Sequence, residues 1–279
     1  MKRLAVVAGA TLTLACGVGL AASPNINASA PLETNSSAAK SLEGVNSVFR
    51  VVCTETKLGG TAFLHKSGDV ITAAHVTEGC THPVILMHDN SENPATIVAT
   101  DIDKDLVLLK PSKKINAQAL RISAADKFDI GTEISFWGYP AGYIGIPPMI
   151  SVGYLAGLDA VRSKSENMHP QWVVNAAINH GNSGGPVVLV ETGEVIGVAD
   201  SKVAPLSDTA ISALNALQAQ SSGFMYTARK PDGTTQSFSE GQVIAMVLEE
   251  LRQQIQLVIG HAVLVGDLRA FLKDNGIDP

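Results

Sequence analysis

Short β-rich runs, each bounded by Gly, Pro, Asn or Asp, follow one another from residue 48 to residue 199. Many short strands at such spacing are typical of an all-β barrel or sandwich. A hydrophobic fraction of 46% with 16% charged residues describes a globular chain. The predicted strands are 48–53, 61–64, 70–72, 84–88, 96–100, 106–109, 133–137, 150–155, 172–175, 187–190 and 195–199, with a closing strand at 261–265.

The run NHGNSGGP at residues 179–186 places a serine between glycines. Glycine takes backbone conformations closed to residues with a Cβ, and it allows a substrate to approach closely. The amides of this run can then face the oxygen that becomes negative during acyl transfer. The run therefore predicts that Ser183 is a nucleophile beside an oxyanion hole made by Gly181, Asn182 and Ser183.

A serine hydroxyl is a weak nucleophile, so Ser183 requires a base and a group that orients the base. Residues 71–75, ITAAH, offer His75 as the base. Residues 101–110, DIDKDLVLLK, offer Asp101, Asp103 and Asp105 as candidates for the acid.

These segments, in the order His, Asp, Ser, resemble the trypsin-like (chymotrypsin-fold) serine proteases, and among them the bacterial HtrA-like branch. The resemblance covers about residues 47–198 and resumes near residue 260. It implies an all-β fold of two six-stranded antiparallel β-barrels, about 43–115 and about 120–279, with the active site between them. In the family the Asp directly precedes an apolar run, which favours Asp105. His75 would then accept the proton of Ser183, and Asp105 would hold the imidazole tautomer.

The resemblance also bears on specificity and activation. Ala177 stands at the floor of the family's primary pocket, so the absence of a carboxylate there favours small or medium aliphatic residues before the scissile bond. His180 borders the same pocket, where HtrA-like proteins usually have Pro. Asn182 stands where pancreatic-type enzymes have an Asp that pairs with a new N-terminus. We therefore expect no activation by that kind of cleavage.

The cysteines apart from Cys16 are Cys53 and Cys80, which bracket His75. In the family a bridge commonly joins these two positions, and an oxidising compartment would preserve it. Two free thiols are the alternative. A metal site of His75, Cys80, His82 and His88 is a further alternative, although the spacing matches no tight ligand pair. The prediction is a disulfide, with no metal and no other cofactor.

Residues 200–259 depart from the family, in which only a short loop precedes the closing strand. Residues 239–242, SEGQ, form a capping box that opens a helix, and a weaker helical pattern covers residues 207–220. The insertion either gates the primary pocket or decorates the second barrel. Asp267 is the predicted N-cap of a short C-terminal helix, and we expect no PDZ domain. The apolar positions at helical spacing after the capping box are Ile244, Val247, Leu248, Leu251, Ile255 and Val258.

Residues 1–22, with Lys2, Arg3 and an apolar stretch, are typical of a secretory signal peptide. Residues 23–42 predict a flexible tether before a protease domain at 43–279. Export to the periplasm or the medium follows, with an uncleaved anchor or lipidation at Cys16 as alternatives. No membrane span is expected in the mature form, and the oligomeric state stays open. The net charge of −6 gives no support to nucleic-acid binding.

The sequence thus predicts an exported serine endopeptidase that cleaves protein or peptide substrates through an acyl-enzyme at Ser183. Residues 181–185 also satisfy the Gly-x-Ser-x-Gly pattern of esterases, and Asp232 and His261 follow in the esterase order. That pattern must enter a helix, whereas residues 187–190 are predicted to form a strand. A non-catalytic or tightly gated binding protein on the same fold is the other alternative.

Overall fold

The computed structural model describes residues 44–163, 165–202, 208–229, 233–254 and 259–279. The predicted signal peptide and tether, together with Cys16, Asp232, Ile255 and Val258, lie outside these residues. Among the described residues, no helix has the length and apolar character needed to cross a membrane.

Fourteen strands and three α-helices are present in the described part of the chain. The strands are β1 (Val48–Val52), β2 (Gly59–Leu64), β3 (Val70–Thr72), β4 (Val84–Leu86), β5 (Glu92–Asp101), β6 (Leu106–Pro111), β7 (Glu133–Gly138), β8 (Met149–Arg162), β9 (Met168–Asn175), β10 (Pro186–Leu189), β11 (Val195–Lys202), β12 (Met225–Arg229), β13 (Thr235–Ser239) and β14 (Gly260–Leu264). The helices are α1 (Asp208–Ala219), α2 (Glu240–Gln254) and α3 (Val265–Asp274).

Twelve of these strands close into two six-stranded antiparallel barrels, which confirms the predicted fold class. The first barrel has the order β1-β2-β3-β6-β5-β4, and the second has the order β10-β11-β14-β9-β8-β7. Apolar side chains alternate into each barrel because successive residues of a strand point to opposite faces. Phe49 and Val51 of β1, for example, belong to one buried cluster inside the first barrel.

Another buried cluster contains side chains of both barrels and joins them. It combines side chains of the first barrel, such as Phe63 and Leu108, with Trp137 and Val198 of the second. Burial of such apolar surface contributes roughly 25 cal/mol per Å². Because this core is shared, the loops at one end of the barrels are held at fixed positions relative to one another.

The insertion before β14 contains α1, the hairpin β12–β13 and α2. The capping box is present, since the Ser239 amide donates to Gln242 Oε1 (3.0 Å) and the Gln242 amide donates to Ser239 Oγ (3.2 Å). The helix that it opens was correctly predicted, but its apolar positions are about half exposed, from 44% for Ile244 to 53% for Val247. The hairpin was not predicted. Every residue of β12 is exposed, so the strand has no alternation of burial for a sequence pattern to reveal.

The C-terminal helix is present, but its predicted N-cap is wrong. The helix begins at Val265 with Leu264 as the N-cap, and Asp267 lies in its first turn. The chain passes directly from β14 into α3, because Val265 and Leu268 are both buried and fix the start of the helix against the barrels. An acidic residue in the first turn still interacts favourably with the helix dipole.

Candidate active site

His75 and Asp105 come from two loops that strand pairing brings together. His75 lies in the 3₁₀ turn after β3, Asp105 directly precedes β6, and β3 pairs with β6. His75 Nδ1 is 2.7 Å from Asp105 Oδ2, and the His75 amide donates to Asp105 Oδ1 at 2.9 Å. With Nδ1 hydrogen-bonded to a carboxylate, Nε2 is the ring nitrogen that can exchange a proton with a nucleophile.

Of the three candidate aspartates, only Asp105 bonds to His75. Asp101 accepts the Lys104 amide at 2.9 Å, and Asp103 accepts the Ser163 hydroxyl at 3.1 Å. Asp105 has a φ of 53°, in the left-handed region that Asp tolerates better than most residues. Its backbone carbonyl also accepts the Ala74 amide at 3.1 Å. Both its carboxylate and its backbone are therefore fixed.

Ser183 lies between two glycines whose conformations require glycine. Gly181 has a φ of 90° and Gly184 a φ of 83°, and a Cβ at either position would collide with neighbouring backbone atoms. The Asn182 amide donates to Asn179 O at 3.0 Å. The amides of Gly181 and Ser183, by contrast, donate to no acceptor within the described residues. Those two N–H groups remain available to an oxyanion.

The hydroxyl of Ser183 is hydrogen-bonded to the backbone of the neighbouring strand β11. Ser183 Oγ donates to the backbone carbonyl of Asp200 at 2.8 Å. The Gly184 amide donates to Ala199 O at 2.7 Å, and the Ala199 amide donates to Gly185 O at 2.8 Å. The loop of residues 179–185, which carries Ser183, is therefore aligned along the end of β11.

Thr61, a fully buried residue of β2, connects the loop that carries Ser183 to the first barrel by hydrogen bonds. Its amide donates to Ser183 O at 2.8 Å, and its hydroxyl donates to Gly181 O at 2.6 Å. The same hydroxyl oxygen accepts the Tyr139 amide at 2.9 Å. Sequence reasoning missed this residue, because a Thr in a buried strand carries no signal of a contact more than a hundred residues away.

Asp200 was also missed, because it was assigned to the start of the insertion. Its carboxylate accepts the amide of Gln171 Nε2 at 2.6 Å. One atom each of His75, Asp105 and Asp200 all lie within 4.8 Å of one another. Burial, and then the negative charge of Asp105, raises the pKa of Asp200 to about 6.

Two cavities meet at His75. One, of about 290 Å³, is lined in part by Asp103, Asp105, Gln171 and Asp200. The other, of about 520 Å³, is lined in part by His75, His180, Gly181 and Ser183. A polypeptide that reached Ser183 would therefore have a concave surface on both sides of the imidazole.

His180 and Ala177, the two residues predicted to line the primary pocket, differ in their exposure and surroundings. His180 is exposed and borders the larger cavity. Ala177 is partly exposed in the loop between β9 and β10, between the buried residues Ala176 and Ile178. Its place at the floor of a primary pocket stays a prediction.

Cys53 and Cys80 form the predicted disulfide, with a Cα–Cα distance of 5.9 Å. The bridge removes the thiolates that a metal would need from the cluster of Cys53, Glu55 and Cys80. His82 is paired with Glu55 at 2.8 Å, and His88 contacts a backbone carbonyl of β1 at 2.8 Å. The alternative metal site is thus divided among separate partners. The remaining cluster with metal-ligand spacing in the described chain is His75, Asp105 and Asp200, in which the imidazole is already bonded to a carboxylate.

The esterase alternative is not favoured by the surroundings of His261. This residue lies on β14, where Nε2 is 3.4 Å from Asp159. The residues after Ser183 enter the strand β10, as predicted, whereas the esterase pattern requires a helix there.

Residues 60–198 match the family described as trypsin-like peptidase domain. A probable periplasmic serine endoprotease, DegP-like, of Chlamydia pneumoniae is 31% identical over 140 residues, which are 50% of this chain and 28% of that protein. The putative serine protease HhoB of Synechocystis sp. is 32% identical over 149 residues, which are 52% of this chain and 34% of that protein. The chain thus spans about a third or less of the length of these curated relatives.

Solved structures share the fold at low sequence identity. The active form of the Rv3671c protease of M. tuberculosis has a TM-score of 0.57 at 17% identity, over 86% of this chain and 85% of that chain. The HtrA-type protease AlgW with tripeptide has a TM-score of 0.55 at 20% identity, over 86% of this chain and 64% of that chain. At such identities the likeness is one of fold.

Proposed function

Residues 60–198 belong to the trypsin-like peptidase family, and we propose that the protein is a serine endopeptidase with Ser183 as its nucleophile. His75 is the general base and acid, and Asp105 orients the imidazole. The observation that carries the proposal is the hydrogen-bonded pair of His75 and Asp105, of which His75 lines the same cleft as Ser183. The unpaired amides of Gly181 and Ser183 support the assignment of the oxyanion hole.

Each step of the reaction has a group in this cleft. The hydrogen bond from Ser183 Oγ to the Asp200 carbonyl breaks. Ser183 Oγ then transfers its proton to His75 Nε2 and attacks the substrate carbonyl carbon. The Gly181 and Ser183 amides stabilise the resulting oxyanion, while Asp105 stabilises the imidazolium. The C–N bond then breaks as His75 gives the proton to the leaving amine. Water next attacks the acyl carbon while His75 accepts its proton, and the C–O bond to Ser183 breaks as His75 returns that proton to Ser183 Oγ.

The finer assignments extend the same proposal. The chain is exported, in keeping with the described periplasmic location of relatives such as the Chlamydia protein, and its protease domain covers residues 43–279. Ala177 favours small or medium aliphatic residues before the scissile bond, and Asn182 makes activation through a new N-terminus unnecessary. The substrates are proteins and peptides, as the peptidase family implies.

Cleavage of unfolded casein tests the proposal. The protein should degrade casein, and the Ser183→Ala variant should not, because loss of such a nucleophile lowers turnover by about 10⁶-fold. Equal activity in both would contradict the role of Ser183. Inactivity in both, together with casein binding, would favour a non-catalytic binding protein on the same fold. A peptide library cleaved mainly after Arg would overturn the specificity that we assign to Ala177.

A further inference from the structure

Asp200 lies beside Ser183 and also beside the pair of His75 and Asp105. Its backbone carbonyl accepts the Ser183 hydroxyl at 2.8 Å, and its carboxyl group has an oxygen within 4.8 Å of a ring nitrogen of His75 and of a carboxylate oxygen of Asp105. A negative charge at this distance disfavours the ionised form of a neighbouring carboxyl group and favours the protonated form of an imidazole. The charge of the Asp200 carboxyl group therefore acts on His75 and Asp105 at short range.

The charged groups around Asp200 come from several elements. Asp105 and His75 face it from the loops of the first barrel, and the Gln171 amide donates to it from β9. Asp103, Arg162 and His169 line other parts of the same cavity. Gln171 is 6% exposed, and its Oε1 is buried without a hydrogen-bond partner in the described residues. Because the nearest neighbours are a carboxylate and an imidazole, each ionisation in this cluster depends on the others.

We propose, on the basis of the proposed peptidase function, that Asp200 is a positioning residue that acts through His75 and Asp105. At acidic pH its carboxyl group is protonated and neutral. When it ionises, it adds a second negative charge beside His75, which favours the imidazolium and makes His75 a stronger base. The reaction of Ser183 is thus coupled to the ionisation of a carboxyl group that takes no part in the bond-breaking steps.

The raised pKa of Asp200 supports this coupling. The pKa of Asp200 is raised to about 6, so the group holds its proton below that pH and releases it above. His75 must be neutral to accept a proton from Ser183, so the acid limb of the rate profile follows its deprotonation. Unit charges 4.8 Å apart shift each other's pKa by about 0.6 unit in water, and by more in a partly buried cluster.

The test measures how the rate of Ser183 labelling by a fluorophosphonate probe depends on pH. In Asp200→Asn, whose amide has nearly the same shape as the carboxyl group but cannot ionise, the acid limb should move to lower pH by about 0.6 unit or more, and the rate at the plateau should fall. Asp103→Asn removes an equal charge from the same cavity without contacting His75, so it should leave the limb in place. A limb that is unchanged in Asp200→Asn, with labelling still dependent on Ser183, would overturn the inference. Labelling that survives Ser183→Ala would contradict the proposed function itself, and the inference with it.

A second measurement needs no substitution at Asp200. The ¹H NMR signal of the His75 Nδ1–H group in the full chain should show two inflections with pH, one near pH 6 from Asp200 and one from His75 itself. A single inflection would overturn the inference even if Asp200→Asn failed to fold.

Discussion

The two barrels contribute different chemistry to the same cleft. The first barrel carries His75 and Asp105, to which we assign the proton transfers, on loops held by paired strands and a disulfide. The second barrel carries Ser183, the proposed nucleophile, on a glycine-containing loop, with Asp200 on the strand beside it. The first barrel therefore contributes a hydrogen-bonded side-chain pair, whereas the second contributes a loop with two glycines of positive φ. The comparison teaches that the site depends on how well the barrels are held together, by the shared core and by Thr61.

Among variants that keep Ser183, the largest expected effect comes from the pair of His75 and Asp105 in the first barrel. Asp105→Asn should lower kcat by about 10⁴-fold with little loss of structure, because an amide favours the wrong imidazole tautomer. Asp101→Asn is the matched control, since Asp101 bonds to Lys104 and not to His75. The measurement is the steady-state cleavage rate of casein. Equal losses in both variants would show that general charge, and not the bond to His75, matters.

The next effect tests the nucleophile loop of the second barrel. Gly181→Ala should lower kcat by roughly 10²–10³-fold, because its Cβ would displace an oxyanion donor. Gly193→Ala is the control, since Gly193 also has a positive φ (71°) but would meet no atom within 4 Å. Both variants carry backbone strain, so both should lose some stability. Only Gly181→Ala should lose activity; full activity in that variant would remove Gly181 from the oxyanion hole.

The disulfide of the first barrel should affect stability more than catalysis. Replacing Cys53 and Cys80 together by Ala should lower the free energy of unfolding by roughly 3–4 kcal/mol, as expected for a closed loop of this length. Thermal unfolding of the two proteins measures this difference. If casein cleavage at a temperature where both are folded fell as strongly as in Asp105→Asn, the bridge would be shown to position His75 directly.

The smallest effect concerns the link between the barrels. Thr61→Val removes a hydroxyl that serves Gly181 O and the Tyr139 amide, so we expect a loss of about 1–3 kcal/mol in stability. We also expect a lower kcat, because the nucleophile loop would be less well fixed. Thr96→Val, on the exposed side of β5, is the control. A Thr61→Val protein with unchanged kcat would show that the shared core alone aligns the two barrels.

Residues that lie in continuous sequence patterns could be predicted. The strands have alternating or continuous apolar character, and His75, Asp105 and Ser183 each stand in a short motif whose order is informative. The disulfide followed from a family resemblance, and the structure contains it. The chemical roles of the three residues remain predictions, although the geometry brings His75 and Asp105 into direct contact.

Residues whose importance arises from tertiary contact could not be predicted. Thr61 matters because β2 meets a loop more than a hundred residues later, and Asp200 because β11 ends beside Asp105. The start of α3 at Val265 was decided by burial, which overrode the capping preference of Asp267. The hairpin β12–β13 is exposed throughout one strand and has no periodicity to detect.

The central claim is that the two barrels together create a nucleophile at Ser183. The most direct test is acid-quenched mass spectrometry of the protein mixed with a p-nitrophenyl ester. The account predicts that one acyl group is added, that peptide mapping places it on Ser183, and that Ser183→Ala prevents it. An acyl group on another residue, or none on a folded protein that still cleaves casein, would contradict the account.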